Sequence, residues 1–205
     1  MNKSEIKLKV IKKNYSNYIN ILGEKLNDIN LSKLFQATEL ILKTIKQKKN
    51  IYVCGNGGSA AIADHYICDF FKQLSKYTRL KAEIRSLNSD KYLISAISND
   101  ISYSYIFRIQ AQRYIKKGDI LILISSSGNS QNIKKVLNYC TKKKIKTIGF
   151  SNFTGGYLKK YSTISIHSEI HNYGIGEDIN HILMHFMMQH ITLTNLSINK
   201  KKIIL

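Results

Sequence analysis

Apolar positions recur at helical spacing through the first fifty residues: Ile6, Val10, Tyr15, Tyr18, Ile19 and Leu22, then Leu34, Phe35, Leu40, Ile41 and Ile45. The pattern predicts two amphipathic helices between residues 4 and 49, with a break between Asn20 and Asn30, where Gly23 and a polar cluster fall. The period then changes. Ile51-Tyr52-Val53-Cys54 is a short strand-like run that ends in Gly55-Asn56-Gly57-Gly58-Ser59 and feeds a helix reaching Lys76. Residues 80–87 predict a second strand, followed by helical pieces on either side of Asn99-Asp100. Ile120-Leu121-Ile122-Leu123-Ile124 is apolar at every position, the mark of a strand covered on both faces. It ends in Ser125-Ser126-Ser127-Gly128-Asn129-Ser130, and a helix continues to Lys143. Residues 144–150 and 163–167 predict two more strands, and residues 175–196 a long C-terminal helix. Strands alternating with helices predict an α/β fold: a three-layer αβα sandwich on a central parallel sheet, flavodoxin-like, with ligands at the carboxyl ends of the strands. The expected division is a helical arm at 1–49, the α/β domain at 50–197 and a basic tail at 198–205.

Composition narrows the class. A chain of 205 residues with 43% hydrophobic content builds one sizeable core. No apolar run approaches the roughly 20 residues that span a bilayer. The stretch MNKSEIKLKV lacks the apolar centre of a signal peptide. A soluble, cytoplasmic protein without membrane contact is expected. Cys54, Cys68 and Cys140 are odd in number and show no CxxC spacing, against a disulfide framework or a cysteine zinc knuckle. The formal charge of +19 raises the question of nucleic acid. The 32 Lys and Arg residues are dispersed, with tight runs only at 142–144 and 200–202. They read as a solvated surface that steers an anionic substrate inward rather than as a polyanion site.

Two strands end in small-residue loops that open helices. Glycine at 55, 57 and 58 lets the backbone turn tightly and lets a ligand approach. At 125–130 several hydroxyls cluster where a helix begins. Free N–H groups and the positive end of the helix dipole favour an anion there. A phosphate monoester, with three oxygens to satisfy, suits the site better than a carboxylate. The competing reading is a plain turn with Ser130 as N-cap. Neither GxxxxGK[ST] nor GxGxxG order is present, which argues against a P-loop and a dinucleotide site.

These residues resemble a known family. CGNGGSAAIADH and ISSSGNSQN are similar to the two signatures of the phosphoheptose isomerases of the SIS (sugar isomerase) superfamily. AISND, TIGFSNFTGG and NYGIGEDINHILMH follow in the family's order, so the likeness runs from about residue 30 to 190. It implies an aldose–ketose isomerase that converts sedoheptulose 7-phosphate to D-glycero-D-manno-heptose 7-phosphate for surface polysaccharide. Carried over by position, Ser125, Ser127 and Ser130, with Ser126 in the same turn, grip the phosphate. Asn56, Gly57, Gly58, Ser59, Asn99 and Asp100 line the sugar pocket. His65, Asp69, Glu177 and His185 occupy the zinc-ligand positions. The family forms homotetramers with active sites where subunits meet, which gives the N-terminal helices a role. Three departures stand out: Asp69 replaces a glutamate and reaches roughly 1.5 Å less, Glu177 replaces a glutamine, and Gln73 replaces an arginine.

Spacing supports the set. His65 and Asp69, four apart, leave one face of a helix, as do Glu177 and His185, eight apart. Two imidazoles and two carboxylates suit zinc. Isomerisation moves a proton between neighbouring carbons through an enediol, and Asp69 and His185 are the expected proton carriers, with Glu177 holding metal and sugar. His181, four from each of Glu177 and His185, competes with His185 as ligand. His167, His171 and His190 read as packing or surface residues, Cys54 and Cys68 as small buried ones, and the remaining Tyr and Phe as core. The departures keep two alternatives open: an isomerase of another phosphosugar, and a non-catalytic SIS protein that binds the replication initiator.

Overall fold

The computed structural model describes residues 2–197; the basic tail expected at 198–205 lies outside the described residues. Strands β1 (Asn50–Gly55), β2 (Glu83–Ser86), β3 (Ile120–Ile124), β4 (Lys146–Ser151) and β5 (Ile164–His167) form one parallel sheet in the order β2-β1-β3-β4-β5. In this doubly wound order the direction of travel reverses between β1 and β3. The loops leaving those two strands therefore diverge and open a crevice at the carboxyl edge of the sheet.

The apolar run of β3 shows why the sheet is covered on both sides. Ile120, Ile122 and Ile124 pack into one layer with α2 (Leu31–Lys46), α3 (Gly58–Tyr77) and α8 (Tyr173–Thr194). Leu121 and Leu123 pack into the other with α4 (Lys91–Asp100), α5 (Ile106–Tyr114), α6 (Gln131–Lys142) and α7 (Gly156–Tyr161). This is the αβα sandwich expected from the alternation of elements. On α3, Ile62, Ala63, Tyr66, Phe70 and Leu74 form the buried stripe. His65 and Asp69 flank that stripe and meet α8 at a packed seam.

The first helix, α1 (Lys3–Asn27), runs straight through Gly23, and the break is confined to Asp28–Asn30. One helical glycine costs only about 1 kcal/mol, whereas Asn30 actively starts α2 by accepting from the Lys33 N–H at 3.0 Å. α2 belongs to the core through Leu34, Ala37, Ile41 and Ile45, but α1 buries no residue and leaves Ile6, Val10, Ile11, Tyr15 and Ile19 exposed. β2 is shorter than expected because the Leu80 N–H bonds the Thr78 hydroxyl instead of a neighbouring strand. The short helix α7 was not foreseen. Cys68 is exposed, not buried, and Phe71, 69% exposed, is no core residue: both leave α3 on the side away from Tyr66 and Phe70. No helix among the described residues is long and apolar enough to cross a membrane.

Candidate active site

Side-chain caps are absent from the helices that the two loops open, as they are from α5 and α7. Asn2, Asn30, Asp90 and Asn172 each cap their helix with a side-chain oxygen. At α3 and α6 the N-cap residues are Gly57 and Ser130, and neither makes a side-chain cap bond. Ser130 thus stands at the cap position without spending its hydroxyl there. The N–H groups of the first two residues of each helix remain available to an anion, while the Ala60 N–H bonds the Gly57 carbonyl and the Ile133 N–H the Asn132 side chain.

Between these helix ends lies a cleft of about 130 Å³, lined by Asn56, Ser59, Ser125, Ser126, Ser127, Ser130, Tyr173 and Glu177. The serine loop is rigidly set. Ser125 donates its N–H to the Phe150 carbonyl at 3.0 Å, the Asn152 N–H reaches the Ser126 carbonyl at 2.9 Å, and the Leu158 N–H reaches the Gly128 carbonyl at 3.0 Å. The first loop is bracketed by Asn88, which accepts from the Gly55 N–H at 3.1 Å and donates to the Gly55 carbonyl at 2.7 Å. Asn99 and Asp100 close α4 and bond each other at 2.9 Å, exposed and outside this lining. Glu177 lies over Gly58: a β-carbon there would fall 2.4 Å from both carboxylate oxygens. An anionic side chain thus rests at the start of α3, where the helix dipole favours it. Gln73 lies further along α3.

One turn and more beyond, the α3–α8 seam gathers a second constellation. His65 Nε2 and His185 Nε2 are 3.1 Å apart. Asp69 Oδ2 stands 3.4 Å from the first and 3.1 Å from the second. His65, His181 and His185 bring ligand atoms within 4.8 Å of one another. A tetrahedral metal with bonds of about 2.0–2.1 Å sets its ligand atoms roughly 3.3 Å apart, a spacing that His65, His185 and Asp69 already have. His181 Nε2 is buried and finds no hydrogen-bond partner among the described residues, as a nitrogen reserved for a metal would be. Burial above all, and the neighbouring His185 and His65, lower the His181 imidazole from its usual value, the direction that favours the neutral form a ligand needs. The structure therefore brings together His65, Asp69 and His185 of the expected quartet, joins His181 to them, and places Glu177 at the cleft.

The side chains of His65 and His185 are 44% and 40% exposed, while that of Asp69 is 15% exposed. The cluster opens outward. His167 is half-buried, its Nδ1 3.2 Å from the Ser151 hydroxyl. His171 packs edge-on against Phe153, and His190 lies against Phe186, so none of the three joins the cluster.

Next to Glu177, Asp178 ties the site to the N-terminal arm. Tyr18 Oη donates to Asp178 Oδ2 at 2.6 Å. That bond, with lesser help from burial and from the Asp178 charge, raises the Tyr18 phenol from 10 to about 12. The bond needs the proton, so its contribution is whole below pH 10 and fades as pH rises through about 12. Tyrosine-resolved NMR titration of the wild type and Asp178→Asn is the check. Tyr18 is expected to titrate late in the wild type and near 10 in the variant, while Tyr66, raised by burial alone, does not move.

The doubly wound sheet and the uncapped, hydroxyl-lined cleft at its switch point define an α/β domain of the phosphate-binding kind. The chain belongs to the SIS-domain family, whose model matches residues 14–152. Within that family it is related to the phosphoheptose isomerases. Phosphoheptose isomerase 2 of Campylobacter jejuni is 36% identical over 151 residues, covering 73% of this chain and 75% of that protein. The phosphoheptose isomerase of Helicobacter pylori strain 26695 is 32% identical over 157 residues, covering 77% and 81%. The solved structure of a phosphoheptose isomerase from Francisella tularensis superposes with a TM-score of 0.82 at 25% identity, covering 91% of this chain and 98% of that one.

Proposed function

We propose that this chain is an aldose–ketose isomerase of a phosphorylated sugar, and that its substrate is sedoheptulose 7-phosphate. The observation that carries the reading is the pairing of a cleft between the uncapped starts of α3 and α6 with a histidine–carboxylate cluster on α3 and α8, so that α3 is common to both. From Ser59 to His65 the rise along α3 is about 9 Å, so the phosphate and the reacting end of one sugar chain reach the two constellations together. Ser125, Ser127 and Ser130 hold the phosphate. Glu177, whose carboxylate stands apart from the imidazoles, is the base that takes a proton from one carbon and returns it to its neighbour. Asp69 orients His65 and His185, and solvent exchanges the proton on the sugar oxygen. A zinc ion held by His65, His181, His185 and Asp69 would polarise the carbonyl and steady the developing oxyanion. The phosphoheptose isomerase activity named for the relatives supports the substrate. The changes at Glu177 and Gln73 favour, as a second reading, a phosphosugar of other length.

Incubation with sedoheptulose 7-phosphate and zinc is expected to yield the aldose, with Ser127→Ala weakening KM about tenfold or more. Absence of product, or an unaltered Ser127→Ala variant, sinks the proposal. Turnover of a pentose or hexose phosphate instead selects the second reading. The exposed apolar residues of α1, including Ile11 at 63% and Tyr15 at 67%, support assembly into a homotetramer through this helix. A monomer by light scattering at micromolar concentration would refute that part.

A further inference from the structure

Asn56, in the cleft lining, is held by a closed set of hydrogen bonds. Asn132, in the first turn of α6, is 2% exposed. Its Oδ1 accepts from the Ile133 backbone N–H at 2.9 Å, which fixes which end of that amide is oxygen. With that end fixed, Asn132 Oδ1 also accepts from Asn56 Nδ2 at 2.9 Å, and Asn132 Nδ2 donates to Asn56 Oδ1 at 2.8 Å. Tyr103, in the 3-10 turn Tyr103–Tyr105, donates its hydroxyl to the same Asn56 Oδ1 at 3.0 Å. An amide oxygen has two lone pairs and an amide nitrogen two N–H groups. Asn56 Oδ1 is therefore saturated, and its nitrogen has committed one N–H. What the Asn56 side chain still offers the cleft is a single donor and no acceptor.

We propose that Asn132 and Tyr103 are positioning residues that lock Asn56 as a one-way hydrogen-bond donor, so that the substrate group opposite it is a carbonyl, hydroxyl or phosphate oxygen and never an ammonium. The consequence is a bias against amino-sugar phosphates. A free asparagine would flip its amide to accept from an ammonium group. This one cannot, because flipping would set two NH₂ groups, of Asn56 and Asn132, against each other. The identity of the sugar rests on the isomerase reading above; the locking of Asn56 does not.

The test uses the whole chain. In the wild type, the Asn56 side-chain amide proton bonded to Asn132 is expected to exchange with solvent at least tenfold more slowly than those of exposed Asn99, and its free partner to shift when sedoheptulose 7-phosphate is added. Asn132→Asp keeps the acceptor that serves Ile133 and Asn56 but turns an oxygen toward Asn56 Oδ1. It is expected to lower kcat/KM about 10- to 100-fold, and Tyr103→Phe, a change at the surface, about three- to tenfold. Both changes should fall mainly on KM, and their effects should be less than additive. A purely structural role predicts a lower Tm with kcat/KM of the folded fraction intact, and that result overturns the proposal. So does fast exchange of the Asn56 amide, or tighter binding of glucosamine 6-phosphate than of fructose 6-phosphate. A wild type without turnover but with a protected Asn56 amide that shifts on adding inorganic phosphate removes the isomerase reading and upholds the positioning role.

Discussion

His185→Ala is expected to lose its metal and to lower turnover by about 10²–10⁴. The imidazole stands 3.1 Å from both His65 Nε2 and Asp69 Oδ2, so its removal takes two edges out of the ligand polyhedron at once. It also leaves Asp69 with one partner instead of two. His181→Ala is expected to lose metal as well, because its buried Nε2 has no partner among the described residues to compensate for desolvation. Glu177→Gln separates the two roles. Its carboxylate lies over Gly58 rather than among the imidazoles, so the variant should retain metal while losing turnover. His190→Ala, on the same helix but outside the cluster, serves as the control and should change neither. Metal content by mass spectrometry and initial rates on the same preparations read both effects. Full metal in His185→Ala would remove His185 from the ligand set, and metal lost only in Glu177→Gln would return Glu177 to it and remove both His181 and His185.

Much of this geometry was legible along the chain. The all-apolar β3 announced a sheet covered on both faces, and the small-residue loops after β1 and β3 fell at the switch point because the alternation of elements fixes which strand ends are neighbours. What the sequence could not display was partnership over distance. Asn88 meets Gly55 across 33 positions, Tyr103 meets Asn56 across 47, and Asn132 meets it across 76. None of these belongs to a local motif; each amide became informative only once the loops were brought together. The choice between His181 and His185 was likewise closed to spacing, since both lie on the i+4 row from Glu177. Packing of α3 on α8 brings both rings to His65, with centroids 4.7 and 5.1 Å away. Cys68 and Phe71 were misread because apolar character was taken for burial, when the buried stripe of α3 runs through Tyr66 and Phe70.

Gly128→Ala is expected to cost about 2–5 kcal/mol and to lower kcat/KM at least about 100-fold. Gly128 sits at φ +65°, in the left-handed region where a β-carbon is strained. The added carbon would also fall 2.0 Å from the Gly155 carbonyl oxygen and 2.7 Å from its carbon. Those are backbone atoms with no rotamer to escape into. They belong to the turn that starts α7 and whose Leu158 N–H holds the Gly128 carbonyl at 3.0 Å. Relief requires the serine loop and that turn to separate, which moves Ser127 and Ser130 out of the positions proposed to hold a phosphate. For a chain of this length the stability loss corresponds to a fall in Tm of about 5–15 °C. The specific signature is loss of the stabilisation expected from inorganic phosphate in the wild type, because ligand-linked stability needs the intact site. Gly23→Ala provides the contrast: it lies in the middle of α1 with nothing within 4 Å, so it should raise stability by about 0.5–1 kcal/mol and leave the phosphate response unchanged. A Gly128→Ala protein that melts with the wild type and is still stabilised by phosphate would show that the serine loop does not depend on its close approach to Gly155.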